Sequence, residues 1–224
     1  MMWQATMLPR RVEVKPVSDY ILGIDTSARV SVGLADGDRV LASRLVGDTR
    51  SHVELLAETV AEVVAEAGVA LGDVGRIGVG VGPGPFTGLR VGIATALVLG
   101  EALGVPVTGV CSLDAVGLAA DAHGGEFVVV TDARRHEVYW ARYDASGLRV
   151  AGPFVGQASE LPNLPVVETP VDAGFLAANL DRLPDVGTEP LYLRQPDAEL
   201  SSTRKSVITS GRLNLPLTPI GGQS

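Results

Sequence analysis

The chain has 224 residues, 46% hydrophobic and 20% charged, enough to bury a sizeable core as one large domain or two small lobes. A net charge of −8 argues against a surface that grips nucleic acid through many phosphates. The single cysteine, Cys111, excludes an intrachain disulfide framework and fits a reducing cytoplasm.

Residues 1–19 carry Arg10, Arg11 and Lys15 without the apolar core of a signal peptide and read as an appended, poorly ordered arm. The globular pattern opens at Tyr20. Residues 20–25 and 30–35 read as strands joined by a turn at 26–29, and Asp36-Gly37-Asp38 turns the chain into a third strand over 39–46. Residues 51–67 are helical: Val53, Leu56, Val60, Val63, Val64 and Ala67 form a broad apolar arc opposite Glu54, Glu58, Glu62 and Glu66, and Gly68 supplies a stop.

A β-branched run at 77–81 then enters the turn Gly82-Pro83-Gly84-Pro85, followed by a helix to Leu103 with Thr87 expected to cap it. Only Arg90, Thr95 and Glu101 break the apolar surface of this helix, so nearly every side must be covered. Its charges near both ends and a span short of the roughly 20 residues a bilayer needs argue against membrane insertion. Gly88, Gly92, Ala96 and Gly100 recur every fourth residue and leave a groove that another helix backbone can approach closely. Next come a strand at 106–110 and a helix at 112–122, with Ser112 as its cap and Asp114 in its first turn.

The second half repeats the plan of the first. Strands at 127–132 and 137–144 and a glycine turn at Ser146-Gly147 into 148–154 match the opening unit, with Asp132 in the place of Asp25. Two antiparallel three-strand units, each followed by helices and a further strand, define a duplicated α/β fold: a first lobe over 20–111 and a reduced second lobe over 112–197. The second lobe continues with a short helix at 157–163, a strand at 165–167, a helix at 172–180, and 191–194 closing the sheet or an edge. Residues 198–224, rich in Ser, Thr, Pro and Gly, read as a poorly ordered tail in which Leu213, Leu215 and Leu217 alternate as in a brief strand.

The stretch GPGPFTGLRVG at 82–92 resembles the signature of the TsaB (YeaZ) family, which carries a serine where this chain has Pro85. Ile24-Asp25-Thr26-Ser27, Asp132-Ala133-Arg134 with Glu137-Val138-Tyr139-Trp140, and Pro190-Leu191-Tyr192-Leu193-Arg194 agree with the same family in the same order. The resemblance implies an actin-like/sugar-kinase-like (ASKHA) ATPase fold with two lobes, the second shortened. It also implies a role as a non-catalytic subunit of the complex that makes threonylcarbamoyladenosine in tRNA. TsaB-like proteins pair with a larger paralogue, TsaD, which carries the metal site and transfers a threonylcarbamoyl group to the adenosine beside the anticodon; a small ATPase, TsaE, joins them. On this reading the chain is cytoplasmic, has no catalytic residue, cofactor or metal of its own, meets tRNA only through the complex, and can pair with a second copy when alone.

Asp25, Thr26, Gly82, Gly84 and Thr87 mark a degenerate nucleotide or anion site, since a strand, a glycine turn and a helix start make a common anion cradle. The alternative is structural: Asp25 closes its own turn, and 82–88 is a rigid strand-to-helix joint without a P-loop lysine and with Pro85 removing an N–H. Residues 166–180 hold no glycine pair for an adenosine loop. The partner surface is expected on the two long helices, at His52, Leu56, Val60, Val63, Gly88, Arg90, Gly92, Ala96 and Gly100. An active kinase or ATPase of the same fold and a metallopeptidase of the M22 type are the competing classes; the solitary His52, His123 and His136 disfavour the latter.

Overall fold

The computed structural model describes residues 18–47, 52–120 and 124–194. The tail beyond 197 and all but Ser18 and Asp19 of the expected arm lie outside the described residues.

Strands β1 (Tyr20–Asp25), β2 (Val30–Asp36) and β3 (Arg39–Val46) form the expected antiparallel meander. Helix α1 (His52–Ala67) leads to β4 (Arg76–Gly80), helix α2 (Phe86–Leu103) to β5 (Val107–Val110), and helix α3 (Ser112–Ala119) follows. Both β4 and β5 run parallel to β1, giving the order β3-β2-β1-β4-β5. Among the described residues the second sheet repeats this plan without a counterpart of β5. Its strands β6 (Phe127–Asp132), β7 (Glu137–Tyr143), β8 (Arg149–Gln157) and β9 (Val166–Val167) lie in the order β8-β7-β6-β9, with β9 parallel to β6. Helix α4 (Ala173–Ala178) returns to the first sheet.

The side-chain alternation of each strand sorts the core into two halves. Leu22, Ile24, Val32, Leu34, Ile77 and Val79 point to one face and pack under α1 and α2 with Leu56, Val60, Val63, Leu89, Ile93 and Ala96. On the opposite face, Ile21 and Ala35 share a core with α3, α4 and the second sheet, through Leu113, Val116, Phe127, Val129, Tyr143, Leu176 and Leu180. By length and composition α2 is apolar enough to cross a membrane, but its Gly88, Leu89, Gly92, Ile93, Ala96 and Gly100 are buried within the fold.

Helix α4 is seated in a trough made by absent side chains. Gly33, Gly23 and Gly78 lie side by side across β2, β1 and β4, with Ser43 next in the row on β3. A Cβ on Gly23 would meet the Ala173 carbonyl, one on Gly33 the Gly174 backbone, and one on Gly78 the side chains of Leu176 and Leu180. The helix start is pinned by polar groups of the same sheet. Ser43 Oγ donates to Asp172 Oδ1 (2.6 Å), which also caps the Gly174 N–H (2.8 Å), and the Ala173 N–H donates to Ser31 Oγ (3.0 Å). Beyond the helix, Asp181 accepts from both Nη atoms of Arg76 (2.6 and 3.0 Å), and those bonds hold its carboxyl below the usual range.

Four local expectations are corrected. Thr87 does not cap α2: the helix begins at Phe86, Pro85 occupies the cap position, and Thr87 is exposed within the first turn. Ser112 does not cap α3 either; it is the first helical residue, after Cys111, and its hydroxyl is used elsewhere. In place of a helix at 157–163 there is one 3-10 turn (Ala158–Glu160), because β8 stays paired with β7 as far as Gln157. Residues 191–194 form no strand, since Pro190 lacks a ladder donor and Leu191 bonds only the residue just past β4, at the Val81 carbonyl (2.8 Å).

The trough predicts a sharp difference between glycines. Gly33→Ala should lower the unfolding free energy by about 3 kcal/mol, because the added carbon meets backbone that cannot rotate away. Gly72→Ala, in open space, should stay within about 0.5 kcal/mol of the parent. Urea denaturation of both variants checks this; equal stabilities would show that α4 can lift off the sheet at little cost.

Candidate functional site: a buried aspartate and the loops it gathers

Asp25 ends β1 on the face that carries Ile21 and Gly23, and is 1% exposed. Both of its carboxyl oxygens are engaged. Oδ1 accepts from the Ser27 N–H (2.9 Å) and hydroxyl (2.7 Å), and Oδ2 accepts from the Ser112 hydroxyl (2.6 Å). Ser112 Oγ in turn accepts from the Gly82 N–H (3.1 Å), while the Ser112 N–H donates to the Gly82 carbonyl (2.8 Å). One carboxyl thus joins the β1–β2 turn, the β4–α2 loop and the start of α3. Burial raises the pKa of Asp25 above the ordinary carboxylate value, opposed by the bonds from Ser112 and Ser27.

The glycines around it are spacers. A Cβ on Gly80 would strike the Asp25 carboxyl, and one on Gly84 would strike the Ser27 backbone. Thr26 turns the other way and donates from Oγ1 to the Gly88 carbonyl at 2.8 Å. Its side chain fills the space beside Gly92, where a Cβ would collide with it. The five residues of the anticipated site therefore separate. Asp25 and Gly82 meet through Ser112, on which the Gly82 N–H is spent, Gly84 packs on the Ser27 backbone, Thr26 faces Gly88 and Gly92, and Thr87 stands apart on the exposed side of α2.

The segment 190–194 completes the arrangement, and its contacts are not visible in composition or periodicity. The Leu191 N–H donates to the Val81 carbonyl. Tyr192 stacks on Phe86 (4.8 Å between centroids) and accepts from Arg90 Nε (2.9 Å), while the Arg90 guanidinium lies 3.8 Å above the Phe86 ring. Arg194 reaches the other lobe, donating to the Ala133 carbonyl (3.1 Å) and pairing with Glu137. The motif Pro190–Arg194 is thus a strap between the β4–α2 joint and the β6–β7 turn. In that turn Arg134, Arg135 and His136 all take positive φ (61°, 57° and 64°), a strained run for residues with side chains.

The expected partner surface changes character. Leu56, Val60 and Val63 belong to the core, and His52 is the first residue of α1. The small-residue ridge of α2 faces inward instead of outward: Gly88 and Gly92 receive Thr26, Ala96 is buried, and a Cβ on Gly100 would meet Val107. What α2 presents is the stripe Arg90, Ala94, Leu97, Val98 and Glu101, in which Leu97 is 44% and Val98 68% exposed. The sequence signal for this stripe was present as apolar residues left over once one face is assigned to the sheet. Cys111 is buried, and that burial pushes its thiol up to about 12, which fits a packing residue.

Two sheets of one plan, each a meander extended by a parallel strand, place the chain in the actin-like/sugar-kinase-like class. A family model described as TsaD, tRNA N6-adenosine threonylcarbamoyltransferase, matches residues 46–200. YeaZ from Pseudomonas aeruginosa superposes with a TM-score of 0.65 at 27% identity, over 78% of this chain and 100% of that one. An uncharacterized protein of Mycobacterium bovis is 42% identical over 201 residues, covering 80% of this chain and 93% of its own. The Escherichia coli tRNA threonylcarbamoyladenosine biosynthesis protein TsaB is 32% identical over 57% of each chain. The match to an uncharacterized Mycobacterium leprae relative, 42% identical, likewise spans 60% of that protein. The chain belongs to the TsaB (YeaZ) family of TsaD-like domains.

Ser112 is the residue to test in the aspartate network. Ser112→Ala removes the donor to Asp25 Oδ2 and the acceptor of the Gly82 N–H, and should cost roughly 1–3 kcal/mol in chemical denaturation. A carboxyl whose folded pKa is raised keeps its proton to higher pH in the folded chain than in the unfolded one. Stability from this group is therefore lost as pH rises from the unfolded value of 3.8 through the folded one. Loss of the Ser112 bond should raise the folded value further and steepen that fall; a variant with a parallel pH profile would show that the bond does not hold the charge.

Proposed function

We propose that this chain is the non-catalytic subunit of the complex that makes threonylcarbamoyladenosine beside the anticodon of tRNA, where it holds and activates a TsaD-like transferase. The observation that carries the non-catalytic part is the state of Asp25. At the end of the first strand, where a phosphate- or metal-binding carboxylate would have to face its ligand, the carboxyl is buried and both oxygens are engaged by Ser27 and Ser112. Family membership supports the pathway, and the matching family model is itself described as the transferase. The net charge of −8 supports contact with tRNA through partners. In this reading a TsaE-like ATPase is the third member and the cytoplasm is the place.

The surface best suited to the TsaD-like partner is the outer stripe of α2. Leu97 and Val98 supply apolar area, flanked by Arg90 and Glu101, which would fix the register of an incoming helix. Without the partner a second copy would cover the same patch.

Two measurements test the proposal. Leu97→Glu combined with Val98→Glu should reduce capture of the co-expressed TsaD-like subunit by at least about tenfold, or about 1.4 kcal/mol, while circular dichroism stays that of the parent. Gly92→Leu should instead disturb the fold itself, because its side chain meets Thr26. Full retention of capture by the double variant would place the interface elsewhere. The isolated chain should show no meaningful ATP turnover; robust hydrolysis abolished by Asp25→Ala would overturn the non-catalytic reading.

A further inference from the structure

The two sheets share a plan, but their outer faces are covered very differently. In the first sheet α1 (16 residues) connects β3 to β4 and α2 (18 residues) connects β4 to β5, and both pack on the face that carries Leu22, Ile24, Ile77 and Val79. In the second sheet the connection equivalent to α1, from β8 to β9, is residues 158–165 with one 3-10 turn. Among the described residues nothing there corresponds to α2. The face concerned lies opposite Phe127 and Val129, which belong to the core shared with α3 and α4.

Strand register shows what this face carries. Val130, Trp140 and Phe154 form one row across β6, β7 and β8, Val138 follows on β7, and Val166 of β9 stands beside Val128. Val128 and Val130 are buried, but Phe154 is 45% and Val166 52% exposed. Trp140 is half-buried, its ring 4.8 Å from that of Phe154 between centroids. The charged groups at the border are mainly carboxylates. A Cβ on Gly156, which shares this face with Val138, would meet Glu160 Oε2 at 2.9 Å, so that carboxylate lies over the sheet. Glu168 is exposed just past β9, and Asp132 is exposed beside Val138. Arg142 is paired with Glu126 (3.4 Å), and the arginines of the β6–β7 turn stand beyond Asp132, at one end of the face.

We propose that the outer face of the second sheet binds a basic amphipathic helix of a partner protein, seated as α1 is seated on the first sheet. A twisted sheet with one apolar face is completed by a helix laid on it, and the first sheet shows that this plan accepts one. The apolar side of the incoming helix covers Trp140, Phe154 and Val166, and its cations face Glu160 and Glu168. None of these residues belongs to the Asp25 network or to the outer stripe of α2, so the assignment is independent of where a TsaD-like subunit binds.

The test is a titration of the isotopically labelled full chain with a synthetic helix of about 16 residues, leucine at i, i+3, i+4 and i+7 and lysine elsewhere, followed by amide NMR. Saturable shifts are expected at Val138, Trp140, Phe154 and Val166, and none along Leu97 and Val98. The same peptide with glutamate for lysine should bind at least about tenfold more weakly. Phe154→Ser and Glu168→Lys, both at exposed positions, should each weaken the lysine peptide by at least about threefold. The absence of saturable shifts, shifts confined to α2, equal binding of the glutamate peptide, or unchanged binding in both variants overturns the proposal. Without peptide, shifts at the four amides that vary with dilution assign the face to a second copy. Shifts of residues 195–224 caused by Phe154→Ser assign it to the chain's own C-terminal segment, and either result also overturns the proposal.

Discussion

The close approach of α4 to the first sheet is the contact on which the rest of the molecule depends. It is possible only because Gly33, Gly23 and Gly78 fall in one row across three strands, so that helix backbone lies where side chains would stand. Glycine in a strand costs roughly 0.5–1 kcal/mol against alanine, and three of them cost a few kcal/mol. The burial of Leu176 and Leu180 alone, at about 1.5–3 kcal/mol per side chain, offsets that loss. The seat also settles which elements share a core: α4 comes from the second repeat, yet its N-terminus is bonded to Ser31 and Ser43 of the first. The two repeats are joined by one buried layer as well as by the chain.

The same face of the first sheet carries Asp25 two residues beyond Gly23, so the trough and the aspartate network are successive positions on one side of β1. Where α4 ends its cover, the hydroxyl of Ser112 takes over. The glycine rule persists there, with Gly80 standing aside for the carboxyl as Gly78 does for Leu176 and Leu180. A desolvated carboxyl is tolerated at this position because three short bonds compensate part of its burial. Its structural consequence is to hold two turns and a helix start at fixed distances.

Much of this was legible in the sequence, and what was missed has a common cause. The meanders, α1, β4, β9 and the span of α2 follow from apolar periodicity and turn residues, which are local signals. The repeat of Asp25 at Asp132 was visible for the same reason. The errors concern side chains whose partners are remote in sequence. Ser112 looked like a cap because serine commonly caps helices, but its hydroxyl is claimed by a residue 87 positions away. The small residues of α2 were rightly expected to admit a close neighbour; that neighbour is Thr26 and β5 of the same chain instead of another helix. A four-residue spacing of small side chains states that something approaches, and it does not state what.

The two aspartates that end equivalent strands show how the halves of the fold have been put to different uses. Asp25 is closed in by hydroxyls, while Asp132 lies exposed at the end of β6 and accepts the Arg134 N–H, at the start of the left-handed run 134–136. The strap 190–194 spans these two turns. It is fixed at one end through Val81, Phe86 and Arg90, and at the other through Ala133 and Glu137. Closure of two lobes around a ligand needs elements that can separate and rejoin at little cost. Here, separating the lobes at this point would break either the aromatic stack and the Leu191–Val81 bond at one end, or the Ala133 bond and a partly buried ion pair at the other. The brace ties the β4–α2 joint, from which α2 starts, to the second sheet.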